Sequence, residues 1–290
     1  MLQPKHITTM KIRTIKIAFK LSLLGISLSL ATISVSVAQL NEVKIFAHRA
    51  GAYEYDENTL AAFKATYEQG MRGYETDVRI SKDGQLVIFH DDNLKRIVGR
   101  EGAIEEMTLS EIKKLKTLKG NEIPTLDEVV AYFKDKPGVY IEFEMKTNKP
   151  LYEEAKLHKY CDMLYNKVYS NRPQDSDYLL TSFDKRPLRY LKAKYPDADL
   201  MFIKGEALTQ ALIDETKELG IKRIAANITQ TTRAMVKDAK KQGMTVSLWP
   251  GRSVDDFLLG LSLGSDYLCT DVPIEVSKWV KNNAAWIKLK

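Results

Sequence analysis

Short apolar runs alternate with stretches of helical periodicity along most of the chain. The apolar runs predict strands at 43–48, 74–78, 139–145, 178–183, 199–203, 223–227, 245–249 and 267–271. The periodic stretches predict helices at 59–70, 125–135, 151–169, 186–196, 208–220, 231–243 and 253–264. Several of these helices end in Gly, which commonly stops a helix. Eight such βα units in about 250 residues favour an α/β fold, a (β/α)8 TIM barrel, over the alternative of an open doubly wound sheet.

One apolar run breaks this alternation. The run LVIFHD at 86–91 follows the second predicted strand after a very short connection. Parallel strands need a crossover of a dozen residues or more, so this pair is predicted to be a hairpin that turns at Asp83-Gly84. We therefore expect a hairpin excursion above the end of strand 2, outside the count of eight. The C-terminal stretch 277–290 is expected to be a helix packed on the barrel.

The N-terminus has the pattern of a targeting segment. A basic stretch, KIRTIKIAFK, precedes an apolar run rich in small residues that ends at Ser36-Val37-Ala38. This is the arrangement of a secretory signal peptide, so we expect 1–38 to be removed and 39–290 to form a single domain. Met10 is an alternative start, and an uncleaved membrane anchor is the alternative reading of the run. The mature protein is expected to be periplasmic or extracellular, with no stable membrane insertion.

The net charge does not indicate a nucleic-acid partner. The 290 residues include 44 Lys and Arg against 38 Asp and Glu, with a pI near 9.0. Five of the basic residues, and no acidic ones, lie in 1–38, so the remainder carries 39 against 38. The hydrophobic content of 44 % is typical of a globular protein and excludes a disordered chain. The pairing of the two cysteines, Cys161 and Cys269, and the oligomeric state are left open.

Carboxylates are concentrated at the ends of two predicted strands. Glu75 and Asp77 are two residues apart, as are Glu142 and Glu144, so each pair lies on one face of its strand. Charges inside a barrel are costly unless they are paired or bound to a metal. Oxygen ligands favour a hard cation, so one divalent ion, Ca²⁺ or Mg²⁺, is predicted here.

Two histidines are predicted at the same end of the barrel. His48 ends the first strand and is followed by Arg49, while His90 ends the hairpin. A single histidine in such a place is more often structural. Two of them beside a bound cation, with Arg49 and Lys146, would suit a phosphodiester substrate, because one could remove a proton and the other could supply one.

Several ordered motifs resemble those of the glycerophosphodiester phosphodiesterase family. The opening signature is HRAG at 48–51 with ENTLAAF at 57–63. It is followed by ETDV at 75–78, KDG at 82–84, His90-Asp91, Arg96, and IPTLDEV at 123–129. Later matches are Glu144-Met145-Lys146, Ser182-Phe183 and TDVP at 270–273. The resemblance spans about 44–275, nearly all of the mature chain.

The resemblance implies a TIM barrel that hydrolyses glycerophosphodiesters to glycerol 3-phosphate and an alcohol with the help of a divalent cation. It implies that His48 and His90 are the acid–base pair, without assigning the acid or the base. The implied metal ligands are Glu75, Asp77 and Glu144, with Glu57 as a further ligand or a neighbour of the ligands. Arg49 and Lys146 would contact phosphate. Glu142 has the right face but lies deeper, and ranks below Glu144.

Three positions depart from the family pattern. Ala50 and Asp56 replace the usual Gly and Pro, and Asp56 is expected to add charge near the site. Trp249 is retained, as a residue that stacks on substrate carbons or as a core aromatic, but Pro250-Gly251-Arg252 follows it in place of the common loop. The leaving alcohol is therefore open. Alternatives are a relative that acts on glycerophosphoinositol, a lysophospholipid or a sugar phosphodiester, and a non-catalytic protein that binds phosphodiesters.

Overall fold

A computed structural model describes residues 42–289, and the predicted signal segment 1–38 lies outside this part. No helix within 42–289 is long and apolar enough to cross a bilayer. The strands are β1 Glu42–Ala47, β2 Gly73–Ile80, β3 Leu86–Ile88, β4 Tyr140–Met145, β5 Asp177–Ser182, β6 Leu200–Ala207, β7 Arg223–Asn227, β8 Thr245–Gly251, β9 Tyr267–Thr270 and β10 Lys288–Leu289.

Eight of these strands close into a parallel barrel. Strands β1, β2, β4, β5, β6, β7, β8 and β9 follow one another around it. Closure is made by β1, which pairs with β2 at Ala47 and Tyr74 and with β9 from Lys44 to Ala47. The predicted (β/α)8 barrel is thus confirmed, and the open-sheet alternative is wrong, because an open sheet would leave β1 with a free edge.

Most of the helices form the outer layer of the barrel, and two short ones belong to the excursion after β2. In chain order the helices are α1 Leu60–Glu68, α2 Lys95–Val98, α3 Leu109–Ile112, α4 Leu126–Phe133, α5 Glu154–Ser170, α6 Lys185–Lys194, α7 Gln210–Glu218, α8 Arg233–Lys241, α9 Val254–Leu263 and α10 Pro273–Asn283. Seven of them follow a Thr, Ser or Asp whose side chain accepts a hydrogen bond from a first-turn N–H, as at Thr125 before α4.

Alternation along each strand separates two environments. On β4, Ile141, Phe143 and Met145 pack in the main core between strands and helices. Tyr140 belongs instead to a second cluster inside the barrel, and Glu142 lies on the same face as Tyr140. Alternate residues of a strand share a face, as the sequence predicts. The two carboxylates of β4 therefore point into the barrel.

The excursion after β2 is larger than the predicted hairpin. Strand β3 runs antiparallel to β2, with Val78 opposite Ile88. The chain then forms α2, a 3₁₀ turn at Ile104–Glu106 and α3 before it reaches α4. These segments have their own apolar cluster. The buried Arg79 guanidinium of β2 binds Glu105 at 2.7 Å, which anchors the excursion to the barrel.

The C-terminal prediction is only partly right. Helix α10 ends at Asn283, and the chain returns as β10 beside β1 instead of continuing as a helix to 290. The indole of Trp279 packs against the core, whereas Trp286 is exposed. The two cysteines are free and buried: Cys161 on α5 in the outer layer and Cys269 on β9 inside the barrel. Their separation into different layers explains the absence of a disulfide between them.

Candidate active site

A cavity of about 290 Å³ opens at the C-terminal ends of the barrel strands, where TIM-barrel enzymes build their active sites. Most of the site residues predicted from the sequence contribute to its wall. The cavity is lined by Phe46, His48, Arg49, Glu75, His90, Glu142, Glu144, Lys146, Asn148, Phe183, Ile203, Ala225, Ser247, Trp249 and Cys269.

Three carboxylates form a group at this end of the barrel. Glu75 and Asp77 on β2 and Glu144 on β4 each offer an oxygen within 4.8 Å of the other two. Strand register explains this closeness, because Asp77 pairs directly with Glu144 across the β2–β4 ladder. All three side chains are buried. The sequence prediction that Glu75, Asp77 and Glu144 come together is therefore met by the geometry.

The buried carboxylates have opposed electrostatic environments. Burial, and then repulsion from Asp77 and Glu144, raises the pKa of Glu75 well above its usual range. Burial also acts to raise the pKa of Asp77, but the attraction of Lys146 and His90 outweighs it and lowers this pKa. Burial and like-charge repulsion thus disfavour the charged form of Glu75, and a bound cation would offset both effects.

A divalent cation fits this group of carboxylates. Among the described residues, Oε1 of Glu75 is buried without a hydrogen-bond partner, and Oδ1 of Asp77 also accepts no hydrogen bond, although the Lys146 ammonium lies 3.4 Å from it. Buried carboxylate oxygens without partners are costly, and a hard cation is the ligand that would satisfy them. The donor set is all oxygen, as Ca²⁺ and Mg²⁺ prefer.

Two basic residues lie against the same carboxylates. The Lys146 ammonium donates to Glu144 at 2.8 Å and lies 3.4 Å from Asp77. The Arg49 backbone N–H donates to Glu75 at 3.0 Å, and its Nε lies 3.7 Å from Asp77. Arg49 adopts a left-handed φ of 50°, which turns the chain just after β1. Both cations therefore flank the group at the cavity wall.

His48 is held by a carboxylate from the opposite end of the chain. Its Nδ1 lies 2.6 Å from Oδ1 of Asp271, which follows β9. Its Nε2 lies 3.8 Å from Glu75 and borders the cavity. A carboxylate at Nδ1 fixes the orientation of an imidazole and leaves Nε2 available for proton transfer.

His90 has a similar partner but belongs to an extended ion-pair network. Its Nδ1 lies 2.7 Å from Oδ1 of Asp91. Arg96 of α2 donates to both oxygens of Asp91, at 2.8 and 2.7 Å, and to both oxygens of Glu57, each at 2.7 Å. Glu57 also accepts from Arg49 at 3.2 Å. This network joins the loop after β1 to the excursion that carries His90.

Glu57 is therefore placed in the ion-pair network. Both of its oxygens accept from Arg96, and one also accepts from Arg49. It lies within reach of His90 and Asp91 and is not grouped with Glu75, Asp77 and Glu144. Of the two positions that the resemblance implies, the structure agrees with that of a neighbour of the ligands.

Glu142 lies one step deeper in the barrel than Glu144. It accepts a hydrogen bond from the Tyr140 hydroxyl and borders the cavity. Burial raises its pKa to about 8. It is outside the group that Glu75, Asp77 and Glu144 form, so the lower rank that the sequence gives to Glu142 is consistent with its position.

Trp249 and the altered loop after it occupy the far side of the cavity mouth. The Trp249 ring contacts Phe183 edge to face, with 5.6 Å between ring centroids. Arg252 extends outward, 61 % exposed, with its Nε 3.8 Å from Asp271. The Arg252 side chain does not line the cavity. Within the altered segment, the retained Trp249 therefore provides the surface that faces a ligand.

The other two departures from the family pattern have structural explanations. Ala50 is fully buried in the turn after β1. It adopts a left-handed φ of 64° although it is not a glycine. The Asp56 carboxylate accepts from Asn121 at 2.8 Å and from Thr117 at 2.5 Å. The Asp56 carboxylate thus binds the end of the excursion, whereas the sequence suggests only that it adds negative charge near the site.

Sequence reasoning did not assign roles to four residues of the site. Asp271 and Arg96 occur in matched motifs, but their partners His48 and Glu57 are distant in sequence. Asp91 was considered only together with His90. Asn58 donates to Oδ2 of Asp77 at 2.8 Å and was not singled out at all, although it lies inside the ENT motif. Their places inside the matched motifs were the signal in the sequence that could have pointed to these residues.

Comparison with known proteins gives a family match over most of the chain. Residues 48–275 match the model of the glycerophosphoryl diester phosphodiesterase family. A glycerophosphodiester phosphodiesterase of Caldanaerobacter subterraneus is 31 % identical over 242 residues, which cover 79 % of this chain and 94 % of that relative.

Solved structures show the same barrel. A phosphodiesterase from Oleispira antarctica, in complex with the product sn-glycerol-3-phosphate, is 26 % identical, with a TM-score of 0.74 over 82 % of this chain and 96 % of that chain. A glycerophosphodiester phosphodiesterase from Parabacteroides distasonis shares the fold, with 24 % identity and a TM-score of 0.71 over 84 % of this chain and 99 % of that chain.

Proposed function

Because the chain belongs to the glycerophosphoryl diester phosphodiesterase family, we propose that it hydrolyses glycerophosphodiesters to glycerol 3-phosphate and an alcohol. The observation that carries the proposal is the placement of two carboxylate-bound histidines, His48 and His90, on one cavity with the three buried carboxylates. That arrangement combines sites for proton transfer with charges able to hold a phosphodiester.

The two histidines supply acid–base catalysis. Each has Nδ1 against a carboxylate, Asp271 for His48 and Asp91 for His90, so each presents Nε2 for proton transfer. One Nε2 takes a proton from the nucleophile, which is water in the overall hydrolysis, and the other gives a proton to the departing alkoxide. Acid–base catalysis of this kind contributes about 10² to 10⁴-fold in rate.

A divalent cation would be held by Glu75, Asp77 and Glu144. Two buried oxygens that accept no hydrogen bond within 42–289, on Glu75 and Asp77, support this assignment. When bound, Ca²⁺ or Mg²⁺ neutralises negative charge on the phosphoryl oxygens. Arg49 and Lys146 already contact the same carboxylates, so they are positioned to contact those oxygens as well and to orient the diester.

A panel of phosphodiesters with product identification tests the function. The substrates are glycerophosphocholine, -ethanolamine, -inositol and -glycerol, together with lysophospholipids, each incubated with the chain from residue 39 onward. Release of glycerol 3-phosphate is the expected result. Turnover of lysophospholipids with release of the head-group phosphate would support a related phosphodiesterase instead, and binding without turnover of any of them would support a non-catalytic protein.

We also infer that 1–38 directs export and is removed before Gln39. The support is the basic stretch, the apolar run and the small residues at Ser36 and Ala38. Expression of the full chain in a bacterial host and N-terminal sequencing of the exported protein test this inference. A mature protein that retains the apolar run and stays with the membrane would favour the anchor instead.

A further inference from the structure

The excursion after β2 carries a strongly basic segment near its end. Residues 113–120, with the sequence KKLKTLKG, contain four lysines and no acidic residue. The chain from residue 39 onward is nearly neutral as a whole, so this concentration of positive charge is local. We call residues 113–120 the basic tip.

Part of this charge has no counterion within the protein. Two of the four lysines form ion pairs with carboxylates elsewhere in the chain. The other two are Lys114, which forms no ion pair within 42–289, and Lys119, whose ammonium donates only to the backbone oxygen of Tyr55, at 3.0 Å. Both side chains are exposed. The basic tip therefore presents two uncompensated charges to an anionic partner.

An exposed leucine lies among these lysines. The Leu118 side chain is 70 % exposed, the largest exposed fraction among the large apolar side chains of 42–289. Its backbone N–H donates to the oxygen of Ile97 at 2.7 Å. The side chain itself lies over Gly99, where a Cβ atom would come within 2.9 Å of Cδ2 of Leu118. The fold thus holds an apolar group outward in a defined place.

The basic tip belongs to the rim of the active-site cavity. Ile97, which holds Leu118, directly follows Arg96 of the ion-pair network around His90. Thr117 of the tip and His90 also line one small cavity together. A surface that contacts Leu118 would therefore lie beside the cavity mouth, at the C-terminal end of the barrel.

A second exposed ring lies on the same rim. Tyr53 is 62 % exposed and lies two residues from Tyr55, which holds Lys119. The backbone N–H of Tyr53 donates to the oxygen of Asp271, just after β9, at 3.1 Å. Tyrosine is common at membrane–water interfaces, because its ring is apolar and its hydroxyl group is polar. Leu118 and Tyr53 thus offer two apolar contacts on the face that carries the cavity mouth.

These features suit a lipid surface better than a protein partner. A specific protein interface buries roughly 1,000 Å² or more, whereas the apolar part of the basic tip is a single projecting leucine among lysines. A bilayer accepts one projecting apolar side chain, and its anionic head groups attract the lysines beside that side chain. Lysine can also bury its apolar stem while its ammonium stays among the head groups.

We propose that the basic tip docks reversibly on an anionic membrane surface, with Leu118 inserted among the lipids and with Lys114 and Lys119 bound to head groups. The contact is peripheral, because one leucine and a few lysines hold a protein far less firmly than a membrane-spanning helix does. Docking in this way turns the cavity mouth toward the lipid surface. The proposal goes beyond the proposed function and does not depend on it, because docking requires no turnover.

Vesicle sedimentation tests the docking. The chain from residue 39 onward is mixed with sucrose-loaded vesicles of phosphatidylcholine alone, or of phosphatidylcholine and phosphatidylglycerol in equal parts. We expect the protein to sediment with the anionic vesicles and to stay in solution with the neutral ones. Added salt should release it, because salt screens exposed charges. Equal binding to both kinds of vesicle, or binding to neither, would overturn the proposal.

Leu118→Ser is the decisive variant. Loss of the inserted side chain should lower the affinity for anionic vesicles by about 10-fold. Lys114→Gln removes one charge at the surface and should lower the affinity by about 5-fold. The matched controls are Leu259→Ser on α9 and Lys237→Gln on α8, which change an exposed leucine and an exposed lysine of the outer layer. Both controls should bind as the wild-type chain does.

Thermal unfolding of each variant verifies the fold. Unchanged vesicle binding in Leu118→Ser, or equal losses in the two controls, would contradict docking through the basic tip. Self-association that is lost in Leu118→Ser, without vesicle binding by the wild-type chain, would assign the tip to a contact between two copies instead and would overturn the proposal. All of these measurements are made without substrate, so failure of the proposed function would leave their outcome unchanged.

Discussion

The two halves of the cavity wall differ in charge. Residues from β1, β2, β4 and the excursion form a charged half, which contains His48, Arg49, Glu75, His90, Glu142, Glu144 and Lys146. Residues from β5 to β9 form a neutral half, which contains Phe183, Ile203, Ala225, Ser247, Trp249 and Cys269. No residue that lines the cavity from the neutral half is charged near neutral pH, since burial raises the pKa of the Cys269 thiol well above its usual range.

This difference in charge indicates that the two halves of the cavity wall have different roles. The charged half gathers the groups that hold a phosphoryl group and move protons, whereas the neutral half sets the shape and hydrogen bonding available to the rest of the substrate. The departure at Pro250-Gly251-Arg252 directly follows Trp249 of the neutral half, while the histidines and the three carboxylates match the family pattern. Reaction type and substrate choice are thus separable in this barrel, and the predictions below test that separation.

The largest effect is expected from loss of either histidine. His90→Ala and His48→Ala each remove a proton-transfer group, so kcat should fall by about 10² to 10⁴-fold on every glycerophosphodiester. Steady-state kinetics measures the loss, and circular dichroism verifies the fold. His158→Ala is the matched control, because His158 stacks on Tyr190 in the outer layer. Near-wild-type turnover in His90→Ala would contradict the acid–base role.

The next largest effect is expected from removal of the cation. Dialysis against a chelator is expected to abolish activity, and added Ca²⁺ or Mg²⁺ should restore it. Ligand binding to the native state raises stability, so the same cation should raise the unfolding temperature of the wild-type chain. Glu144→Gln should lose most of that rise and most of the activity. Glu106→Gln, a change in the excursion away from the cavity wall, serves as control. Full activity after exhaustive chelation would refute the cation site.

A smaller effect is expected when the ion-pair network is cut. Arg96→Gln removes the side chain that binds Asp91 and Glu57 together, so His90 loses its fixed orientation. We expect kcat to fall by about 10-fold, with a displaced pH profile and little change in KM, because bidentate ion pairs contribute geometry as well as energy. Arg100→Gln, on the same excursion, is the control. If kcat and the pH profile were unchanged in Arg96→Gln, His90 would not depend on this network.

The smallest effect is expected in the neutral half. Phe183→Ala removes the ring that packs edge to face on Trp249 at the cavity mouth. Aromatic contacts of this kind contribute about 0.5 to 1.5 kcal/mol, so KM should rise by roughly 2- to 10-fold and differ among head groups, with kcat nearly unchanged. If kcat of Phe183→Ala fell as much as kcat of Arg96→Gln, the two halves would not have separate roles.

Local sequence was sufficient to predict the barrel and most of the charged half. Apolar periodicity separates strands from helices, and the two-residue repeat of a strand places Glu75 with Asp77 and Glu142 with Glu144. Parallel barrel strands have their C-terminal ends at the same mouth. The sequence therefore also predicted that His48 lies near these carboxylates. The extent of the excursion and the end of α10 did not follow, since both depend on packing against the barrel, as Arg79 against Glu105 shows.

The sequence by itself therefore determined which face each strand residue occupies and which residue types collect at one end of the barrel. Tertiary structure alone decided the pairings. Closure of the barrel brings β1 beside β9, which places Asp271 on His48 across 223 residues, and folding of the excursion places Arg96 on Glu57. Within 42–289, it also left the Ser247 hydroxyl without a hydrogen-bond partner. The physical reason is that periodicity is local, whereas a hydrogen bond depends on where two distant backbones meet.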